Sequence, residues 1–272
     1  MHTLPLIHQV LSEDQRKHFL AIEALNQRFY EHYAAAFHST RAFGWRGWRS
    51  LLELHTVTKL TVVDIGCGGG RLADFLQRIW VEEQGQTLTY YYGLERSHAL
   101  LNHARQRVLQ MPISWHHYDW SSEVLNINEV HNGFDWVTLF GVMHHIYSQA
   151  ARVYIIECMA KTLKVGGILS VSHWDFGSQD RYKNKKLEWD LLLESNSQLS
   201  ADLIEEGDCL LGWAGDVHIP RFCHWVSPSE ETEWLRVISQ RVPQLSKPII
   251  TTITGDQNRY ISWRLLDSIN PT

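Results

Sequence analysis

Apolar residues recur every three or four positions over 12–38, at Phe19, Ile22, Leu25, Phe29, Tyr33 and Phe37. That period predicts a helix, and Ser12 with the acids behind it supplies an N-cap. The stretch "HSTRAFGWRGWRSLLELH" then predicts a short loop and a second helix. From residue 60 the pattern alternates. Strand "LTVVDI" precedes helix "RLADFLQRIW", "TYYYGLE" precedes "HALLNHARQRVL", and "ISWHHYD" and "FDWVTLFGV" are strands. Helix "SQAARVYIIECMAKTL" leads through a glycine pair into strand "ILSVSHW". Such alternation implies parallel strands with helices on both faces.

The last third reads differently. "RYKNKKLEWDLLLES" is an amphipathic excursion, and "GDCLLGWAGDVHIPRFCHW" a loop followed by a strand. "SPSEETEWLRVISQRV" starts a helix with Ser227 as cap, Pro228 in the first turn and Glu230 closing a capping box. "IITTITGD" and "RYISWRLL" form a closing antiparallel pair. The expected fold is α/β: a Rossmann-like, seven-stranded, mostly parallel sheet ending in that pair. One domain spans 1–272, with an N-terminal helical cap (1–57), a binding core (58–176) and an insertion with C-terminal substrate-side elements (177–272).

At 272 residues and 44% hydrophobic content the chain can bury a substantial core. A net charge of −5 does not announce nucleic acid, although a local basic face stays open. Arg41, Arg46 and Arg49 form one basic cluster; Arg181, Lys183, Lys185 and Lys186 form another. Each is interleaved with aromatics, and each reads equally as a solvated face. Cys67, Cys158, Cys209 and Cys223 make no CxxC pair, so reduced thiols are expected, with no zinc site or other metal. No run approaches the ~18 apolar residues of a membrane span and no basic leader is visible, so a cytoplasmic location is expected.

The chemistry begins at Asp64-Ile65-Gly66-Cys67-Gly68-Gly69-Gly70-Arg71. The dinucleotide fingerprint fails because Arg71 stands at its third glycine, and no Gly-Lys-Ser/Thr makes a P-loop. What remains, an acid at a strand end followed by GxGxG, resembles the cofactor loop of class I S-adenosylmethionine methyltransferases. The resemblance implies that Asp64 helps hold the cofactor's ammonium. Gly66, Gly68 and Gly70 let backbone approach the ligand. Glu95, beside Arg96, sits where a carboxylate can accept from both ribose hydroxyls. Asp119 would accept from the adenine amino group and Trp120 pack on its ring, or they are a turn residue and a core aromatic. Phe140 and Val142 would line the methionine end.

The outer blocks are more selective. Tyr30, Ala34, Phe37, Thr40, Arg41 and Trp45, the segment "FGVMHHIYSQAARVYIIECMAKTLKVGGILSVSHW", "DCLLGW" with "RFCHW", and "GDQNRYISWRL" resemble the tRNA wobble-uridine carboxymethyl methyltransferases. Gly212 and Arg259 depart from that pattern, standing for a Pro and a Trp. This resemblance implies a 5-carboxymethyl wobble uridine in tRNA as acceptor and a small zinc-binding activator protein as partner. A carboxylate acceptor is ionised at neutral pH and needs no general base; the enzyme must align the reacting atoms. Arg41 and Arg221 are candidates to orient it through paired hydrogen bonds, with Tyr30, Thr40, Trp174 and His224 beside them. His145 would contact the acceptor or, for a hydroxyl acceptor, act as base; His144 reads as a packed histidine. A small-molecule O-methyltransferase and an inactive cofactor-binding partner subunit remain as alternatives.

Overall fold

The computed structural model describes residues 2–267, apart from 5, 42, 123, 128–132, 178, 180, 181, 183–185 and 214. Strand β1 (His2–Leu4) leads into the long helix α1 (Glu13–Ser39) and short α2 (Gly47–Leu52). The core continues as β2 (Lys59–Ile65), α3 (Arg71–Leu76), β3 (Thr87–Glu95), α4 (His98–Arg105) and β4 (Ile113–His117). Next come β5 (Leu125–Ile127), β6 (Phe134–Leu139), α5 (Gln149–Ala160) and β7 (Leu163–Trp174). The last third adds β8 (Lys186–Leu187), α6 (Asp190–Ser195), β9 (Asp208–Trp213), β10 (Asp216–His224), α7 (Pro228–Arg241), β11 (Ile249–Thr252) and β12 (Asn258–Arg264).

Seven strands form the main sheet in the order β11-β12-β7-β6-β2-β3-β4. The five from β7 to β4 run parallel; β12 pairs antiparallel with β7, and β11 with β12. The chain leaves β2 toward β3 and β4, then returns to the other side for β6 and β7. The order therefore reverses between β2 and β6, and a crevice opens at their carboxyl ends. Alternation along β2 feeds two cores. Val63 and Ile65 pack with α1, α5 and α7, while Leu60 and Val62 pack with α2 and α3.

The ends of elements depart from the periodic pattern. The helix after β3 stops at Arg105; Val108 beyond it is 91% exposed, while Leu109 still packs against the core. The helix after the glycine loop widens into a π-helical turn at Gln77–Glu83. "DCLLGW" is strand β9, not loop; it pairs with β10 and β8 in a separate three-stranded sheet. Ser12 and Gln15 make a reciprocal capping box. Ser227 accepts from the Glu230 N–H, but the Glu230 carboxylate does not close the expected box. It binds His224 and Arg152 instead.

That choice joins four elements. Arg152 on α5, 2% exposed, donates to Glu205 Oε2 at 2.9 Å and Glu230 Oε1 at 2.8 Å. His224 on β10 sits between Asp208 at 2.6 Å and Glu230 at 2.8 Å. The second hairpin and α7 are thereby anchored to the parallel core. Replacing Arg152 with Met should cost roughly 3 kcal/mol, near the low end for breaking a buried charge network because Glu205 keeps some access to water. The shift in chemical denaturation midpoint measures it; a change below about 0.5 kcal/mol would show the network to be incidental.

Candidate active site

A cavity of about 1250 Å³ lies over the carboxyl ends of β2, β3 and β6 and under α1, reaching the β9–β10 hairpin. Small-ligand pockets run to about 1000 Å³, so this one has room for a cofactor and an acceptor together.

The half nearest the glycine loop is built from strand ends. Asp64, at the end of β2, is buried and lines the cavity. It accepts from Tyr91 at 2.5 Å and Thr138 at 2.7 Å. Burial pushes its carboxyl up to about 6, against the pull of those two hydroxyls. Gly66, Gly68 and Gly70 all adopt positive φ. A Cβ at Gly66 would lie 2.3 Å from Val142, whereas one at Gly68 meets nothing within 4 Å. Gly66 thus serves the fold, and Gly68 keeps a bare face. Glu95 caps the loop: it accepts from Gly68 N–H and Ser97 N–H, each at 2.8 Å. The longer side chain reaches the loop backbone while lining the cavity.

Phe140 and Val142 line the cavity, and Trp120 does too. Asp119 does not. Its Oδ1 accepts from Ser121 N–H and Oγ–H, and its Oδ2 pairs with Arg96 Nε at 3.1 Å, so the carboxylate is committed behind the wall. Arg96 lines the wall but is held by Glu23 and Asp119 on either side. Two further residues, Glu23 and Arg71, line the cavity without having been expected from the motifs. Arg71 follows the glycine loop directly, which is a usable signal. Burial lowers it to about 10, aided by Arg41 and Arg107. Glu23 lies mid-helix, where nothing local distinguishes it.

The other half gathers Tyr30, Thr40, Arg41, His144, His145, Trp174 and Arg221. His145 is fully engaged. Its Nδ1 lies 2.8 Å from the Phe222 carbonyl, so that nitrogen carries the proton, and Nε2 accepts from Tyr30 at 2.7 Å. Burial, with Arg221 nearby, lowers its pKa to about 3. A histidine with both nitrogens bonded and its pKa this low holds Tyr30 in place and is poorly set to act as a base, although it lines the cavity. His144 is packed as anticipated, its ring against Trp174. His224 lies outside the cavity lining, in the Arg152 network. Burial opposes its charge, but the bonds to Asp208 and Glu230 raise its pKa above the ordinary value.

The arginines carry the electrostatics. Arg221 is buried, its guanidinium between Phe29, Trp174 and Trp213 at 5.1–5.8 Å. It donates to Tyr30 at 3.4 Å. Arg41 stacks 3.4 Å over Phe37 and donates to Thr40 and to the Phe37 carbonyl. Burial lowers it to about 10, Arg221 adding to the effect. Among the described residues no carboxylate pairs with either. Arg49 is spent on Glu83 at the surface. Arg181, Lys183 and Lys185 of the second basic cluster lie outside the described residues; Lys186 is exposed in β8.

Residues 63–169 match the family described as a methyltransferase domain. The chain has the fold of the class I S-adenosylmethionine-dependent methyltransferases, and the domain match covers its glycine loop and the parallel strands around it. Over 177 residues it is 28% identical to the probable tRNA methyltransferase 9B of Mus musculus, which covers 65% of this chain and 35% of that protein. The chain thus spans about a third of the length of those relatives. An S-adenosylmethionine-dependent methyltransferase of Methanosarcina mazei superposes with a TM-score of 0.56 at 16% identity, covering 83% of this chain and 100% of the other. A putative methyltransferase solved with the Trm112 activator from Haloferax volcanii gives 0.53 at 14% identity, covering 90% and 99%. These structural likenesses establish the fold. No described helix is long and apolar enough to cross a membrane.

The cofactor half fits the group the class uses: a carboxylate at β2, another at β3, and a bare glycine face between them. Because the folded Asp64 pKa of about 6 lies above the unfolded value of 3.8, the folded state holds an extra proton between the two. This group's contribution to stability therefore falls as pH rises through that window. Binding an ammonium has the opposite sign, since it needs the ionised form. Affinity for S-adenosylhomocysteine should climb toward pH 6 by up to about tenfold per unit and level off above it. Calorimetric titrations from pH 5 to 8 check this, and in Asp64→Asn the climb should vanish with a loss of affinity of at least about tenfold.

Proposed function

We propose that this chain transfers a methyl group from S-adenosylmethionine to a carboxylate, and that the acceptor is a 5-carboxymethyl wobble uridine in tRNA, giving the methyl ester. The observation that carries the proposal is the pair Arg41 and Arg221: two guanidiniums in an aromatic-walled cavity with no carboxylate partner among the described residues. A buried cation without a counter-charge is costly to keep. An anionic acceptor supplies the missing charge, and guanidinium forks match carboxylate geometry. Trp174 and Trp213 offer faces for a flat ring.

When bound, the cofactor supplies an electrophilic methyl on its sulfonium. The chain's part is alignment. Tyr30, fixed by His145, sets one side of the Arg221 guanidinium. The carboxylate arrives ionised, so no residue need remove a proton, which agrees with His145 having both nitrogens bonded. The tRNA acceptor is supported by the resemblance of the outer blocks and by the likeness to the tRNA methyltransferase 9B relatives. The neighbour solved with Trm112 motivates including such an activator in the assay.

The test is transfer of labelled methyl to base-treated bulk tRNA, with and without the activator. Label should enter RNA and leave again under mild base. RNA that stays unlabelled in both arms, while a small carboxylic acid takes label, would replace tRNA with a metabolite. Arg221→Lys should lower kcat/KM by about ten- to a hundredfold, the worth of a charged hydrogen bond. With no titrating base, kcat should stay flat from pH 7 to 9. An inflection there would point to a hydroxyl acceptor and overturn the carboxylate.

A further inference from the structure

The end of the cavity beyond Glu95 is lined by Glu23, Gln27, Arg96, Ser97, Leu100 and Trp120. On the reading of the chain as an S-adenosylmethionine enzyme, on which this inference rests, Glu95 holds the ribose and the cofactor's base lies here. Asp119, the acid expected to read that base, does not line the cavity; its Oδ1 bonds Ser121 and its Oδ2 ion-pairs with Arg96. Glu23, projecting from α1, does not. Its Oε2 accepts from Trp120 Nε1–H at 3.1 Å and from Arg96, while its Oε1 is buried with no hydrogen-bond partner. A buried acceptor left unmatched is costly and calls for a donor. The exocyclic amino group of adenine is a donor of the right kind, and hypoxanthine, with a carbonyl there, is not.

We infer that Glu23 selects adenine, its Oε1 accepting from the exocyclic amino group, so that the N-terminal helix reads the base of the cofactor. Trp120 and Arg96 act as positioning residues that hold the carboxylate in place. The Trp120 indole N–H is spent on Glu23, which ties the expected stacking residue to the same task.

The test is calorimetric binding of S-adenosylhomocysteine, its inosine counterpart and its deaminated purine analogue, at pH 8, where the Glu23 carboxyl, raised to about 7 by burial, is mostly ionised. The unmodified protein should bind the adenine compound at least about a hundredfold more tightly than the inosine one, as sites built for a donor reject its loss. Glu23→Gln, whose amide can turn to donate, should narrow that preference to below about tenfold. In Glu23→Ala, removing the amino group from the ligand should make no further difference, the signature of a direct pair. A preference unchanged in both variants, or one that collapses in Asp119→Asn while Glu23→Gln retains it, would overturn the inference. If Glu23→Gln does not fold by circular dichroism, the unmodified protein still decides: equal affinity for the adenine and deaminated compounds would overturn it. Failure of the unmodified protein to bind any of the three would instead sink the cofactor reading.

Discussion

The site hangs on one side-chain amide. Asn26 on α1 accepts from Phe222 N–H at 2.8 Å through Oδ1 and donates to the His145 carbonyl at 3.4 Å through Nδ2. It joins the long helix to the loop after β6 and to strand β10 by taking up one backbone group from each. His145 repeats the connection one layer out, from Tyr30 on α1 to the Phe222 carbonyl. Buried networks of this kind stabilise only when every member is matched, and here they fix the side chains that face the acceptor half of the cavity.

That rigidity makes an unfavourable arrangement tolerable. Arg221 is buried beside Tyr30 and three aromatic rings, and it opposes the charge of Arg41 nearby. A fold selected for stability alone would place a carboxylate there, as it does around Arg152. The two buried arginines contrast: Arg152 is paired with acids, and Arg221 has none among the described residues, which is what the proposed acceptor role rests on. Cavity walls that retain unmatched polar groups are pre-set for a ligand instead of for water.

The legible parts of the sequence were those governed by local period and backbone demand. The parallel strands, the closing antiparallel pair and the glycine loop follow from alternation, positive-φ positions and an acid at the strand end. Arg41 and Arg221 were recognisable as cavity arginines because they recur in blocks that resemble a known family. Asp119, left open between base reader and turn residue, and His224 both lie outside the cavity lining for one reason. Each is an acid or histidine at a strand end, and only tertiary geometry decides whether it turns inward to Arg96 and Glu230 or outward to the cavity. Glu23 was invisible for the converse reason: an acid mid-helix reads as solvated surface until α1 is laid over Arg96. Likewise, the capping box at Ser227 was sound chemistry locally and lost to a stronger partner across the fold.

Helix α1, 27 residues and so about 40 Å long, borders both halves of the cavity. Glu23 lines one end of the cavity, Tyr30 the other, and Arg41 follows the helix C-terminus. On the proposed reading both ligands touch this one helix. Any tightening of the acceptor that the bound cofactor brings about through α1 is then matched by an equal tightening of the cofactor by the acceptor, a cooperativity that needs no moving lid.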